Sequence, residues 1–171
     1  SNAEMRPRLA KLYAEMMEAA GIPFELELRD SSVFFGEMLD DATWDIGQWA
    51  WVGSHGLLGL IAIHDVFDPK GPPPKGDNFY RWGTPGSSVR DEYTKRFAGI
   101  VKEMNTTVDE TEIIALVREA EEILADQAVI LPIVQRLVMG AVWGDEIGGF
   151  KMNASQASHT WNIEEWYRTD R

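Results

Sequence analysis

The residue types best suited to chemistry gather at residues 49–56, which read Trp-Ala-Trp-Val-Gly-Ser-His-Gly, and at His64-Asp65 shortly after. Ser54, His55 and His64 bring a hydroxyl and two imidazoles to a glycine-rich turn, and Asp65 beside His64 has the form of a base and its orienter. That set suggests a hydrolase as an alternative, but no motif places a nucleophile against the base. The other chemistries are missing from the sequence. Gly53, Gly56 and Gly59 lack the order of a dinucleotide fingerprint, and there is no phosphate-cradling loop ending in Lys-Ser/Thr. His55, His64 and His159 do not have compact metal-ligand spacing, and the absence of cysteine excludes thiolate sites and disulfides. Carboxylates are too abundant for any one pair to be specific.

Aromatic residues give a sharper signal. Trp44, Trp49 and Trp51 run directly into the polar Gly-Ser-His-Gly turn, and Tyr80 and Trp82 sit in a second aromatic stretch, Asn-Phe-Tyr-Arg-Trp-Gly. Either group serves as large core residues or as the walls of a pocket. A strand ending in a glycine-rich turn is where open α/β sheets place their ligands, which favours the second use for Trp49, Trp51, Ser54 and His55, whereas Tyr80 and Trp82 fit core anchoring or a second pocket wall equally.

The elements that would hold these residues follow from periodicity. Leu9, Leu12 or Tyr13, and Met16 or Met17 recur at helical spacing and end at Gly21, a C-terminal glycine cap. Residues 24–29 alternate apolar and polar as a half-buried strand does, and residues 43–52 read as a strand presenting tryptophans. Residues 68–77 hold four prolines and two glycines and form a loop. Ser87 or Ser88 is placed to cap a helix over residues 89–104, joined by a turn to a second helix that starts at Asp109 with Glu112 in capping-box position. That second helix carries Ile113, Leu116 or Val117, Ala120 and Ile123 or Leu124 on one stripe. It runs into residues 129–131, a β-branched run closed by Pro132, and then into a second apolar run over residues 137–143, the alternation of α/β layering. The tail holds Trp161, Trp166 and Tyr167, which need a surface to pack on.

Bulk properties narrow the class. A chain of 171 residues with 44% hydrophobic content supports one well-cored domain and lacks any run long enough to span a bilayer. The net charge of −12, without a Lys/Arg stripe, disfavours nucleic acid and anionic membranes as partners. Ser1-Asn2-Ala3 reads as the remnant of a cleaved expression tag, so residues 4–171 are taken as the domain and the natural chain is expected to extend upstream.

Five segments in order, spanning most of residues 8–167, resemble the C-terminal part of extracellular solute-binding proteins of the peptide and nickel type, which serve ABC importers. They are AGIPFELELRDSSVFFGEMLDDATWDIGQWAW, DNFYRWGTPG with VRDEYTKRFAGIVKEM, EAEEILADQAVILPI, GDEIGGFKMN and TWNIEEWY. The resemblance implies an α/β fold, a periplasmic-binding-protein-like lobe of mixed sheet flanked by helices, as a fragment of a two-lobed receptor. Residues 144–171 would return toward the other lobe. It further implies a non-catalytic, extracytoplasmic function without a cofactor: capture of an oligopeptide or a neutral polar solute such as a sugar, handed to a membrane permease. Ser54 stands where peptide-binding members carry an aspartate for the ligand's amine. A serine supplies no charge to a buried ammonium, which shifts the expectation toward sugars or amidated ligands. The alternative to a receptor is a protein–protein interaction domain, and surfaces exposed by truncation would allow a dimer.

Overall fold

A computed structural model describes residues 2–51, 56–72, 75–134, 142–153 and 159–169. The chain divides into two compact units, residues 1–50 and 51–171.

In the first unit α1 (Asn2–Ala19) ends as its glycine predicts. Gly21 adopts φ +77°, and the amides of Gly21 and Ile22 donate to the carbonyls of Glu18 and Met17, which satisfies two of the helix's last acceptors. Tyr13 meets Phe24 edge-on at 5.6 Å. Asp30 then caps α2 (Ser31–Val33) through the Ser32 amide. A π-helical turn (Phe34–Met38), kinked at Gly36, leads to α3 (Leu39–Asp41). The tryptophan-rich stretch folds on itself: Trp44 and Trp49 contact edge-to-face at 5.7 Å, and Phe34 lies 6.0 Å from Trp49. Gly47 makes this possible, because a Cβ there would stand 2.6 Å from the Trp49 ring.

The second unit is built on three helices, α4 (Gly56–Asp65), α5 (Glu92–Met104) and α6 (Glu110–Asp126), which pack on one another. α5 and α6 form the antiparallel hairpin that their stripes predict. Phe97, Ile100, Val101 and Met104 from one, and Ile113, Leu116, Val117, Ala120, Ile123 and Leu124 from the other, are all buried. Val66, Phe67 and Trp82, from the loop between α4 and α5, complete this core. Asp109 caps α6 through the Glu112 amide at 3.0 Å. α5 starts later than the serines suggest. Asp91 and Thr94 exchange side-chain-to-backbone hydrogen bonds in a full capping box, while Ser87 only closes a local turn with the Val89 amide. On the hairpin surface Arg96 grips Glu119 through Nε and Nη2 and also reaches Glu103.

Strands are few. β1 (Ile147–Gly148) and β2 (Tyr167–Arg168) pair antiparallel, with Ile147 opposite Arg168. Asn162 ties the hairpin together: fully buried, it donates to the Gly149 carbonyl and accepts from Trp166 Nε1.

This architecture overturns the expected fold class. The described residues are 46% helical and 3% strand, an almost all-helical arrangement with one small two-stranded sheet rather than a mixed sheet between helical layers. The physical reason lies in the segments read as strands. Residues 22–30, 43–51 and 129–134 take no strand structure, since an alternating or β-branched sequence becomes a strand only when another edge lies beside it. Most of the second apolar run, at residues 137–141, lies outside the described residues. No described helix is long and apolar enough to cross a membrane.

Candidate functional site

The structure brings together two of the six residues singled out in the sequence. Trp51 Nε1 donates to the Tyr80 hydroxyl at 2.7 Å, and Phe79 lies 6.2 Å from the Trp51 ring. Tyr80 in turn stacks on Phe67, with centroids 4.7 Å apart. Burial raises the Tyr80 hydroxyl's pKa, against the smaller opposing effect of the Trp51 hydrogen bond. The outcome is a half-exposed aromatic platform resting on the helical core.

Of the other four, two have contacts of their own and two are not described. Trp82 is a core residue, meeting Phe97 edge-on at 5.2 Å. Trp49 belongs to the first unit, against Trp44 and Phe34. Ser54 and His55 lie outside the described residues. The His64–Asp65 pair does not act as a base with its orienter. His64 is buried, with Nδ1 2.7 Å from the Leu60 carbonyl; a carbonyl only accepts, so Nδ1 carries the proton. Asp65 instead accepts from Asn105 Nδ2 at 3.0 Å, joining the end of α4 to the end of α5.

Two features are absent from the sequence-based list. The first is Asn78, fully buried, whose Nδ2 lies 3.1, 3.1 and 2.9 Å from the carbonyls of Phe67, Asp68 and Trp82. It pins both ends of the loop that carries the platform. Gly83 follows at φ +68°, with the Thr94 side chain so close that a Cβ would stand 2.8 Å from it. Asn within a Gly/Asp-rich stretch signals a turn, but nothing in the sequence shows which carbonyls it gathers.

The second is the segment after α6. Val129 and Ile130 pack against the core, whereas Leu131, Ile133 and Val134 are 68%, 51% and 59% exposed. Among the described residues, none of residues 130–134 makes a hydrogen bond through its backbone, although the Val129 amide still donates to the Leu124 carbonyl. Pro132 fixes its own φ and disfavours the helical region at Leu131, and residues 129–134 take neither helix nor strand structure. The start of the apolar run therefore faces the core and its continuation faces outward.

Other surfaces offer less. A shallow, open hollow lies along one face of α1, lined by Glu4, Met5, Arg8, Leu9 and Leu12, all from a single helix. No cluster of three or more potential metal ligands occurs among the described residues.

No protein-family model, curated protein or solved structure matches the chain. The resemblance to peptide- and nickel-type solute-binding receptors does not hold at the level of architecture. A receptor of that kind reads its ligand in a cleft between α/β lobes, and the helix-dominated fold is inconsistent with such a cleft. The importer function and the solute capture inferred from the resemblance fall with it.

The platform carries a direct prediction. Tyr80→Phe keeps the stack on Phe67 but removes the acceptor for Trp51 Nε1. We expect a loss of about 1 kcal/mol in urea unfolding, together with a weakened near-ultraviolet circular dichroism signal from the freed indole. An unchanged spectrum would show that the Trp51–Tyr80 bond does not order the platform.

Proposed function

We propose that this chain is a non-enzymatic helical module that works through a protein partner. The observation supporting this reading is the segment at residues 130–134, where three large aliphatic side chains stand more than half exposed on backbone that makes no hydrogen bonds among the described residues. Single exposed apolar residues are ordinary on a protein surface, but a contiguous run on backbone without a protein partner among the described residues offers an apolar surface and a free pairing edge in one place. A protein surface meets both. The non-enzymatic part draws support from His64, whose ring is engaged inside its own helix rather than aimed at a nucleophile.

Photo-crosslinking in the source cells tests the reading. A photoreactive residue at Leu131 is expected to give one discrete protein adduct, while the same group at Glu122, exposed on α6, gives only diffuse background. Equal labelling at the two positions would sink the proposal.

A further inference from the structure

The geometry points to the partner and the mode of contact: residues 131–133 add as an edge strand to an extended, basic segment of another protein. The inference rests on the protein-partner reading and specifies it. In extended chain, the N–H and C=O of alternate residues face the same edge. Leu131 and Ile133 share one edge, and both retain their N–H groups. Ile130, Pro132 and Val134 share the other, and Pro132 has no N–H there. One edge is therefore complete as a hydrogen-bonding template and the other is interrupted at its centre. A helix face or a lipid surface would cover the side chains but leave these backbone groups unmade; a strand satisfies both.

Charge selects the kind of strand. α6 ends directly before the segment with Glu121, Glu122 and Asp126 exposed, and its last turn has no basic residue. The negative end of the helix dipole adds to those carboxylates. A second copy of this chain would bring the same acidic helix end and a net charge of −12 to a pairing that cancels neither. A strand carrying Lys or Arg at its ends offsets them, and attraction of this type weakens as salt rises.

The test uses a capped seven-residue peptide, Lys-Val-Thr-Val-Thr-Val-Lys, titrated against the full chain by fluorescence anisotropy. Binding should weaken about tenfold between roughly 50 and 500 mM salt. Replacing both lysines by glutamate, or N-methylating alternate residues of the peptide so that its pairing edge loses its N–H groups, should each weaken binding at least about tenfold. Ile133→Pro in the protein removes an N–H from the intact edge and should abolish binding. Val134→Pro alters only the edge already interrupted and should leave the affinity within about twofold, with both variants checked for native helicity by circular dichroism. Equal binding of the basic, acidic and N-methylated peptides, or an Ile133→Pro variant that binds like the parent, would overturn strand addition. Failure of the basic peptide to bind would also overturn it. A discrete crosslink at Leu131 would still leave the broader partner reading standing, so the two failures are distinguishable.

Discussion

Asn78→Leu is expected to destabilise the second unit by about 3 kcal/mol, a loss read as a shift of the urea midpoint at unchanged m value. Leucine nearly preserves the side chain's size, so the effect isolates the amide. Nδ2 has two hydrogens shared among three carbonyls, of Phe67, Asp68 and Trp82. The net loss corresponds to about two hydrogen bonds, plus the cost of leaving buried carbonyl oxygens without a donor. Asn78→Asp is the sharper control. It keeps the shape but replaces the donor with a carboxylate facing carbonyl oxygens in a fully buried position, so it should cost more than leucine does. If either variant unfolds within about 0.5 kcal/mol of the parent, Asn78 does not hold the loop. The consequence would extend to Trp51 and Tyr80, since Phe67, on which Tyr80 stacks, offers one of the three carbonyls.

Asn78 also marks the limit of what the chain discloses in one dimension. The α5–α6 hairpin was legible because its information is local. Residues three and four apart define each buried face, and Asp109 needs only Glu112, three positions on, to begin a helix. Gly21 is legible for the same reason. Strand pairing and loop pinning are not local. The alternation at residues 24–29 and the β-branched run at residues 129–131 have the composition of strands, but nothing within them states whether another edge lies alongside. In this chain none does among the described residues. The ordered likeness inherited the same limit, because two of its five segments include the stretches at residues 24–29 and 129–131 that read as strands. Among the aromatics, residue type did not separate roles: Trp82 became core and Tyr80 platform although they stand two positions apart. Chain geometry made that division. Asn78 draws the Trp82 carbonyl inward, and Trp82 packs against Phe97.

Phe97→Ala is the second large effect, expected to cost about 3–5 kcal/mol in thermal or urea unfolding. Phe97 has no solvent exposure and meets Trp82 edge-on at 5.2 Å and the His64 ring at 6.5 Å, so it joins α5 to both α4 and the platform loop. Removing the ring loses its transfer free energy and leaves a cavity between elements that hold one another in place and collapse only partly. Tyr93, one turn earlier on the same helix but 42% exposed, provides the contrast. Tyr93→Ala should stay within about 0.5–1 kcal/mol, because most of its surface is already in water. Against the roughly 5–15 kcal/mol that holds small domains folded, the Phe97 loss is large enough to loosen the whole second unit. Val129 and Ile130 pack on this same core, so they anchor the exposed segment that follows them. Phe97→Ala should therefore weaken binding of the basic strand peptide as well as lower stability, whereas Tyr93→Ala should alter neither substantially. Full peptide affinity in a Phe97→Ala protein that has lost its expected stability would show that the segment at residues 129–134 is presented independently of the helical core.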